Sequence, residues 1–217
     1  MIKYFKYIKY ALLLFLIIIL LIHVMVSKKE LTINDVNNLM IVAHKEDGLI
    51  WGGNNLVNDR YLVVCITCSE EDQDFIKIMK NAKNKYVLLN YDEETDFYEE
   101  RNILERDLNK YLYLKDWDKI VTHNPDGEYG SDQHKTINSY VNKLLDNKEK
   151  LYYFNKYYLK EELVENSYSL YLLSREEVDR KVKMLGMLND IEYVKEFEHI
   201  IPYEEFIIYK EWGNNNE

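Results

Sequence analysis

The stretch "MIVAHKEDGLIWGG", Met40 to Gly53, decides the class of fold. Its apolar opening is typical of a buried strand, and that strand ends on His44. Two acids, Glu46 and Asp47, follow at once, before the chain turns through a glycine. A histidine and two carboxylates directly after a buried strand have two interpretations. They are polar groups at the start of a helix, or they are half of a metal site whose other half lies elsewhere in the chain.

Strands and helices alternate after this stretch. The predicted strands lie at 39–44, 61–67, 85–91, 118–123 and 150–155, and the predicted helices at 49–58, 71–83, 98–114 and 133–146. Strands separated by helices of about ten residues or more predict βαβ units and a mainly parallel sheet. We therefore predict a single Rossmann-like α/β domain. The less periodic residues 156–217 are expected to add a helix over 174–188 and an edge strand near 206–212.

The first thirty residues differ sharply from the rest. Ala11 to Val26 carry no charge, and lysines flank this run on both sides. We predict an uncleaved, single-pass membrane helix over residues 10–26, so that 1–30 form an anchor and 31–217 the folded domain. A cleaved signal peptide is the alternative, but "HVMVSKKE" offers no clear cleavage site of small residues. Because positive charge lies at both ends, the side of the membrane that holds the domain stays open.

The folded domain is strongly acidic. Residues 1–30 contain five of the 28 basic and one of the 38 acidic residues, which leaves 23 basic and 37 acidic residues and a net charge of -14. Such a domain repels phosphate backbones. Nucleic acid is therefore not an expected partner.

The two cysteines, Cys65 and Cys68, lie in the apolar stretch "YLVVCITC". Their spacing is compatible with a redox or zinc motif. On a strand, however, side chains three residues apart point to opposite faces, and a thioredoxin-type motif would open a helix. We therefore expect two thiols packed in the core.

A second polar stretch follows the fourth predicted strand and reads "THNPDGEYGSDQHK", residues 122–135. A proline and two glycines constrain it as a loop, and His134 opens the next helix. In an open α/β sheet, ligands bind at the carboxyl ends of the strands, so His44, Asp47 and His134 are expected at one edge. Two histidines and a carboxylate leave open positions on a divalent ion such as zinc, and Glu46 stands beside them to take a proton. The alternative is that these polar residues cap helices separately.

These two stretches resemble the LmbE-like, or phosphatidylinositol-glycan class L, family of metal-dependent de-N-acetylases. The family signature is A-H-P-D-D-E, then a Gly-Gly pair, and later G-H-x-x-H. In this chain the matching positions are Ala43–Gly48, Gly52–Gly53 and Gly130–His134. The resemblance covers residues 38–145 well and the C-terminal third only loosely.

The resemblance implies a function and a set of roles. One zinc ion would be held by His44, Asp47 and His134, with Glu46 as the general base. The substrate would be an N-acetylglucosamine-type sugar of a glycan or glycolipid. Asp92, in "LNYDEE" after the third strand, resembles a family position near the substrate, although an exposed acidic turn is equally compatible with that stretch.

Three departures from the family pattern bear on activity. Glu46 stands where the base is ordinarily Asp, Lys45 replaces a Pro, and Ser131 replaces the first His of G-H-x-x-H. That His is held to stabilise the oxyanion or protonate the leaving amine, and a serine is no acid near pH 7. His123 is a candidate replacement, the alternative being a histidine bonded within its own loop.

The departures also suggest rival functions: a pseudoenzyme that binds sugar or acts as a scaffold, or a hydrolase of another amide, such as an acylated thiol conjugate.

Overall fold

A computed structural model of the chain describes Tyr10 and residues 14–18, 33–95, 97–189 and 191–212. Contacts divide the chain into two compact units, residues 1–34 and 35–217. The predicted membrane segment, residues 10–26, lies largely outside the described residues, and its boundary with the domain stays a prediction. Among the residues that are described, no helix combines the length and apolarity needed to cross a membrane.

The second unit is built on one six-stranded sheet with the order β3-β2-β1-β4-β5-β6. The strands are β1 (Asn38–Val42), β2 (Tyr61–Cys65), β3 (Lys85–Leu88), β4 (Lys119–Thr122), β5 (Leu151–Phe154) and β6 (Phe206–Ile208). Strands β1 to β5 are parallel, and β6 pairs antiparallel with β5. The predicted α/β class with a mainly parallel sheet is therefore confirmed.

Seven α-helices accompany the sheet in the described part of this unit. They are α1 (Asp47–Asn58), α2 (Gln73–Asn81), α3 (Arg101–Leu112), α4 (Asp132–Leu144), α5 (Lys160–Asn166), α6 (Arg175–Leu185) and α7 (Ile191–Glu196). Each predicted helix is present, with ends that differ by at most three residues from the prediction. Strand β2 is buried along its whole length, as its apolar sequence requires for a strand covered on both faces.

The strand order reverses between β1 and β4, which are neighbours at the centre of the sheet. The chain leaves β1 toward β2 on one side and leaves β4 toward β5 on the other. Connections that depart in opposite directions open a crevice at the carboxyl ends of the two strands. The polar stretches that follow β1 and β4 therefore face each other across this crevice.

The Gly-Gly pair lets α1 pack closely on the sheet through Gly52 and on α6 through Gly53. Gly52 has non-helical dihedrals (φ -144, ψ 17), which put a kink in the helix. A Cβ atom on Gly52 would lie 2.9 Å from Met40 Cε, and one on Gly53 would lie 3.0 Å from Lys181 Cγ. Beyond the kink, the buried Glu204 carboxylate accepts the main-chain N–H of Asn54 at 3.0 Å. The pair thus has a packing role, whatever chemistry the neighbouring residues perform.

Cys65 and Cys68 form a disulfide, so the prediction of two free core thiols was wrong. The prediction continued the strand to residue 67, which would separate the two Cα atoms by about 10 Å. Strand β2 instead ends at Cys65, and the bend that follows brings the two Cα atoms to 5.4 Å.

Candidate metal centre

Three ligand atoms converge at the mouth of the crevice. Asp47 Oδ2 lies 3.2 Å from His44 Nδ1 and 3.4 Å from His134 Nε2, and the two nitrogen atoms are 3.4 Å apart. Two zinc–ligand bonds of about 2.0–2.1 Å at a tetrahedral angle would place their ligand atoms about 3.3 Å apart. All three side chains are buried. The spacing therefore fits one shared ion.

Each of the three side chains is positioned by the end of a regular element. His44 comes two residues after β1, Asp47 is the first residue of α1, and His134 lies in the first turn of α4. The carboxylate of Asp47 turns back to accept the main-chain N–H of His44 at 2.7 Å, which fixes the carboxylate beside the ring. The sheet topology thus brings together residues that are 90 positions apart in the sequence.

The imidazole of His134 is oriented by Glu128. His134 Nδ1 lies 2.6 Å from Glu128 Oε2, and the low pKa of this buried carboxyl keeps it an acceptor. Nδ1 therefore carries the hydrogen, and Nε2 faces Asp47. His44 has a matching arrangement, because its Nε2 lies 2.6 Å from Gln133 Oε1 while its Nδ1 faces Asp47. Histidines that bind metals are commonly held in this way through the nitrogen that does not bind.

The second carboxylate oxygen of Asp47 has no partner. Asp47 Oδ1 is buried and makes no hydrogen bond with any of the described residues. An unsatisfied buried polar atom costs about 1–3 kcal/mol, and more when it is charged. A divalent cation bound by Asp47 would compensate that cost, so the donor set and the orphaned oxygen both fit a metal.

The cluster holds a proton when no metal is bound. Burial alone would lower the pKa of His134, but the carboxylates of Asp47 and Glu128 raise it to about 10. Burial likewise opposes ionisation of Asp47, yet the adjacent His134 and His44 hold the pKa of its carboxyl well below the usual range. An ion that binds here near pH 7 must therefore replace the proton on His134.

Glu46 lies beside His44 and Asp47 and is not one of the three converging side chains. It lines a cavity of about 150 Å³ whose walls are His44, Lys45, Glu46, Thr67, Cys68, Asp72 and Glu93. Burial, and then the negative charge of Asp47, raise the pKa of the Glu46 carboxyl to about 7. A carboxylate that titrates near neutrality next to a metal site is suited to exchange protons with a reacting group.

Comparisons with known proteins find similarity in part of the sequence and in the fold. No protein-family model matches the chain. A curated relative, an uncharacterized protein of Acanthamoeba polyphaga mimivirus, is 32% identical over 123 residues, which are 46% of this chain and 54% of the relative. The chain thus spans about half the length of that relative.

Among solved structures, an antimicrobial-reagent pseudoaglycone deacetylase matches 78% of this chain and 83% of its own, with a TM-score of 0.52 and 10% identity. An N,N'-diacetylchitobiose deacetylase from Pyrococcus horikoshii matches 81% of this chain and 80% of its own, with a TM-score of 0.49 and 14% identity.

The chain has the LmbE-like deacetylase fold. At 10% identity the likeness concerns the fold alone. What this chain can do therefore depends on its own side chains.

Ser131, at the position of the first His in the LmbE-like pattern, caps a helix. Its hydroxyl accepts the main-chain N–H of His134 at 3.4 Å, at the start of α4. This contact satisfies one of the free N–H groups of the first turn. A serine in this role supplies no titratable group near the cavity.

His123 lies beneath His134 and not at the cavity. It is fully buried, and its ring stacks on that of His134 with centroids 3.7 Å apart. Its Nε2 accepts the N–H of Ala43 at 2.9 Å, so its Nδ1 carries the hydrogen and donates to Glu128 at 2.9 Å. Both ring nitrogens are engaged, and burial lowers the pKa of the imidazole. The placement agrees with a histidine bonded within its own network and leaves no free proton for a substrate.

Asp92 is exposed and bonded within its own turn. Its Oδ1 accepts the main-chain N–H of Glu94 at 2.9 Å. The neighbouring Glu93, and not Asp92, is among the described residues that line the cavity beside Glu46. The structure therefore does not bring Asp92 together with the other predicted site residues.

Glu128 and Gln133 were not predicted as site residues. Glu128 accepts from both His123 and His134, and Asn124 holds it in place through its own N–H at 2.7 Å. His123, Glu128 and His134 are close enough to form a second metal-binding group. Because His123 and His134 both donate to Glu128, this group forms a hydrogen-bond network that supports the first. The one feature of the sequence that pointed toward Glu128 and Gln133 was the polar loop at 122–135, which a proline and two glycines constrain.

Proposed function

We propose that this chain is a zinc-dependent de-N-acetylase that removes acetate from an N-acetylglucosamine-type sugar of a glycan or glycolipid. The observation that carries the proposal is the convergence of His44 Nδ1, Asp47 Oδ2 and His134 Nε2 within 3.4 Å of one another. Glu46, beside the same atoms, lines an open cavity. The LmbE-like fold supports the reaction class, and the substrate class follows from the resemblance in the motifs.

The proposed mechanism assigns separate tasks to the side chains. When bound, zinc would polarise the amide carbonyl and acidify a water molecule. Glu46 removes a proton from the attacking water, because its carboxylate titrates near neutrality. The protonated Glu46 then returns that proton to the departing amine, since Ser131 supplies no acid. Glu128 and His123 keep the His134 ring in place during both steps.

The proposal extends to the location of the protein. We infer that residues 10–26 anchor the chain in a membrane, as their uncharged apolar sequence suggests. An anchor would hold the domain beside a lipid-linked or surface-glycan substrate.

A pseudoenzyme that binds sugar or acts as a scaffold is the second candidate. Two placements favour it: the Ser131 hydroxyl is engaged in capping α4, and His123 is enclosed beneath His134. Under this candidate the fold and the metal are kept, but turnover is lost.

Acetate release from N-acetylglucosaminyl substrates tests the proposal. The full-length protein in detergent would be stripped of metal and assayed with zinc and with a chelator. Zinc-dependent release that is lost in Glu46→Gln and kept in Glu165→Gln, a matched change at an exposed helix position, supports the enzyme. Zinc binding without release from any tested sugar would leave the pseudoenzyme as the better account.

A further inference from the structure

Gln133 joins one proposed metal ligand to the wall of the cavity. It lies in the first turn of α4, directly before His134. Its Oε1 is 2.6 Å from His44 Nε2. Its Nε2 donates to the main-chain carbonyls of Glu93, at 2.7 Å, and Thr95. One amide side chain therefore contacts the ligand His44 and the turn that carries Glu93.

These contacts determine which way the amide points. The carbonyls of Glu93 and Thr95 can only accept hydrogen bonds, so the NH₂ group of Gln133 must face them. The amide oxygen then faces His44 and can only accept. Amide orientations and histidine tautomers are assigned from networks of this kind.

The amide orientation in turn fixes the tautomer of His44. Because Gln133 Oε1 only accepts, the hydrogen of the neutral imidazole must lie on Nε2. The lone pair is then on Nδ1, the atom that lies 3.2 Å from Asp47 and 3.4 Å from His134 Nε2. The opposite tautomer would leave a hydrogen where an ion has to bind.

We propose that Gln133 is a positioning residue that presets the metal-binding tautomer of His44 and links it to the turn at residues 92–95. The inference rests on the metal site of the proposed function. Glu93 in this turn lines the cavity, so displacement of the turn and reorientation of the ligand are coupled through a single amide.

Two substitutions separate the two contacts. Gln133→Leu removes both, and zinc affinity is expected to fall about tenfold to a hundredfold, as for other residues that orient a ligand. Gln133→Glu keeps an acceptor for His44 but sets a carboxylate oxygen against two carbonyls. This variant should bind zinc nearly as the wild type does and show a raised KM for the sugar. Asp132→Asn, at the exposed neighbouring position of α4, is the matched control.

Zinc affinity would be measured by competition with a chromophoric chelator on the full-length protein. The tautomer would be read from the His44 Nε2–H signal in a ¹H–¹⁵N spectrum of the metal-free protein, because zinc on Nδ1 would by itself place the hydrogen on Nε2. That proton should be protected from exchange in the wild type and in Gln133→Glu, and lost to exchange with solvent in Gln133→Leu. Thermal unfolding of each metal-free variant checks folding. Gln133→Asn, one methylene shorter, replaces Gln133→Leu if the latter does not fold.

The outcomes distinguish this inference from the proposed function. Wild-type protein that binds no zinc at His44 would overturn both. Wild-type protein that binds one ion, with Gln133→Leu equal to it in affinity and in protection of the His44 proton, would overturn the positioning role alone. Weaker zinc binding in Gln133→Leu with loss of the protected proton supports the role, even if no sugar is turned over.

Discussion

His44 Nδ1 and His134 Nε2 lie 3.4 Å apart, although 90 residues separate them in the sequence. Two imidazole nitrogens at this spacing repel each other unless a proton or a cation lies between them and the nearby carboxylate. Asp47 Oδ2, within 3.4 Å of both, completes the triangle. The site is therefore built to hold a positive charge.

The first prediction is that zinc affinity rises with pH. In the metal-free protein the pKa of His134 is about 10, so at pH 7 an incoming ion must displace its proton. Affinity should increase about tenfold for each pH unit below that pKa, since one proton is released. Chelator competition at several pH values between 6 and 9 measures the slope. An affinity that does not change over this range would contradict the assignment of His134.

The second prediction is that Glu46→Gln stabilises the metal-free fold while it abolishes turnover. The folded pKa of Glu46, about 7, lies above the ordinary value of 4.5. The protonated Glu46 carboxyl therefore contributes to the free energy of unfolding below pH 4.5. That contribution is lost as the pH rises through about 7 and the group ionises. Removing the charge should raise the free energy of unfolding at pH 8 by about 1–3 kcal/mol. Urea unfolding at pH 4 and pH 8 tests this. Glu165→Gln should show no such pH-dependent gain, and an equal effect of Glu46→Gln at both pH values would disprove the explanation.

The third prediction is that Ser131→His speeds acetate release. A histidine there would supply a group that titrates near neutrality, a role worth up to about 10²–10⁴ in rate when it is well placed. The same substitution should lower the stability of α4 by about 1 kcal/mol, because it removes the N-cap hydrogen bond of Ser131. Rates would be compared at equal zinc occupancy with Glu46→Asp, which should gain less because Glu46 already supplies the carboxylate. No gain in Ser131→His, together with complete loss in His123→Ala at full zinc occupancy, would mean that His123 is the acid after all.

The sequence predicted the helices and strands, and the convergence of three polar side chains, for the same reason. Apolar runs such as residues 61–65 must be buried, which predicts the strands. Parallel strands bring their carboxyl ends to one edge of the sheet. His44, Asp47 and His134 follow such ends, so they are expected to meet there when their strands are neighbours. Glu128 and Gln133 escaped prediction because their roles depend on the path of loops. Glu128 has a positive φ of 54, and Gln133 acts through the main chain of residues 93 and 95. No periodicity in the sequence encodes such contacts. The disulfide was missed because strand β2 ends two residues earlier than its apolar sequence suggests.

The fourth prediction concerns the anchor. Deleting residues 1–30 should yield a domain that stays in solution, because the sequence after Lys29 is rich in charged residues and contains no uncharged apolar run as long as Ala11 to Val26. The full-length protein should instead sediment with membranes. Fractionation followed by a carbonate wash separates the two behaviours. Residues 31–217 retained in the washed membrane pellet would refute the prediction.

The fifth prediction addresses the central claim that His44, Asp47 and His134 bind one divalent ion. The most direct test is the metal content of purified protein after loading with zinc and removal of the excess, measured for the wild type and for the triple variant His44→Ala, Asp47→Ala, His134→Ala. The account predicts one zinc per chain in the wild type and none in the triple variant, with thermal unfolding used to confirm that the variant is folded. A folded triple variant that still holds close to one zinc per chain would contradict it.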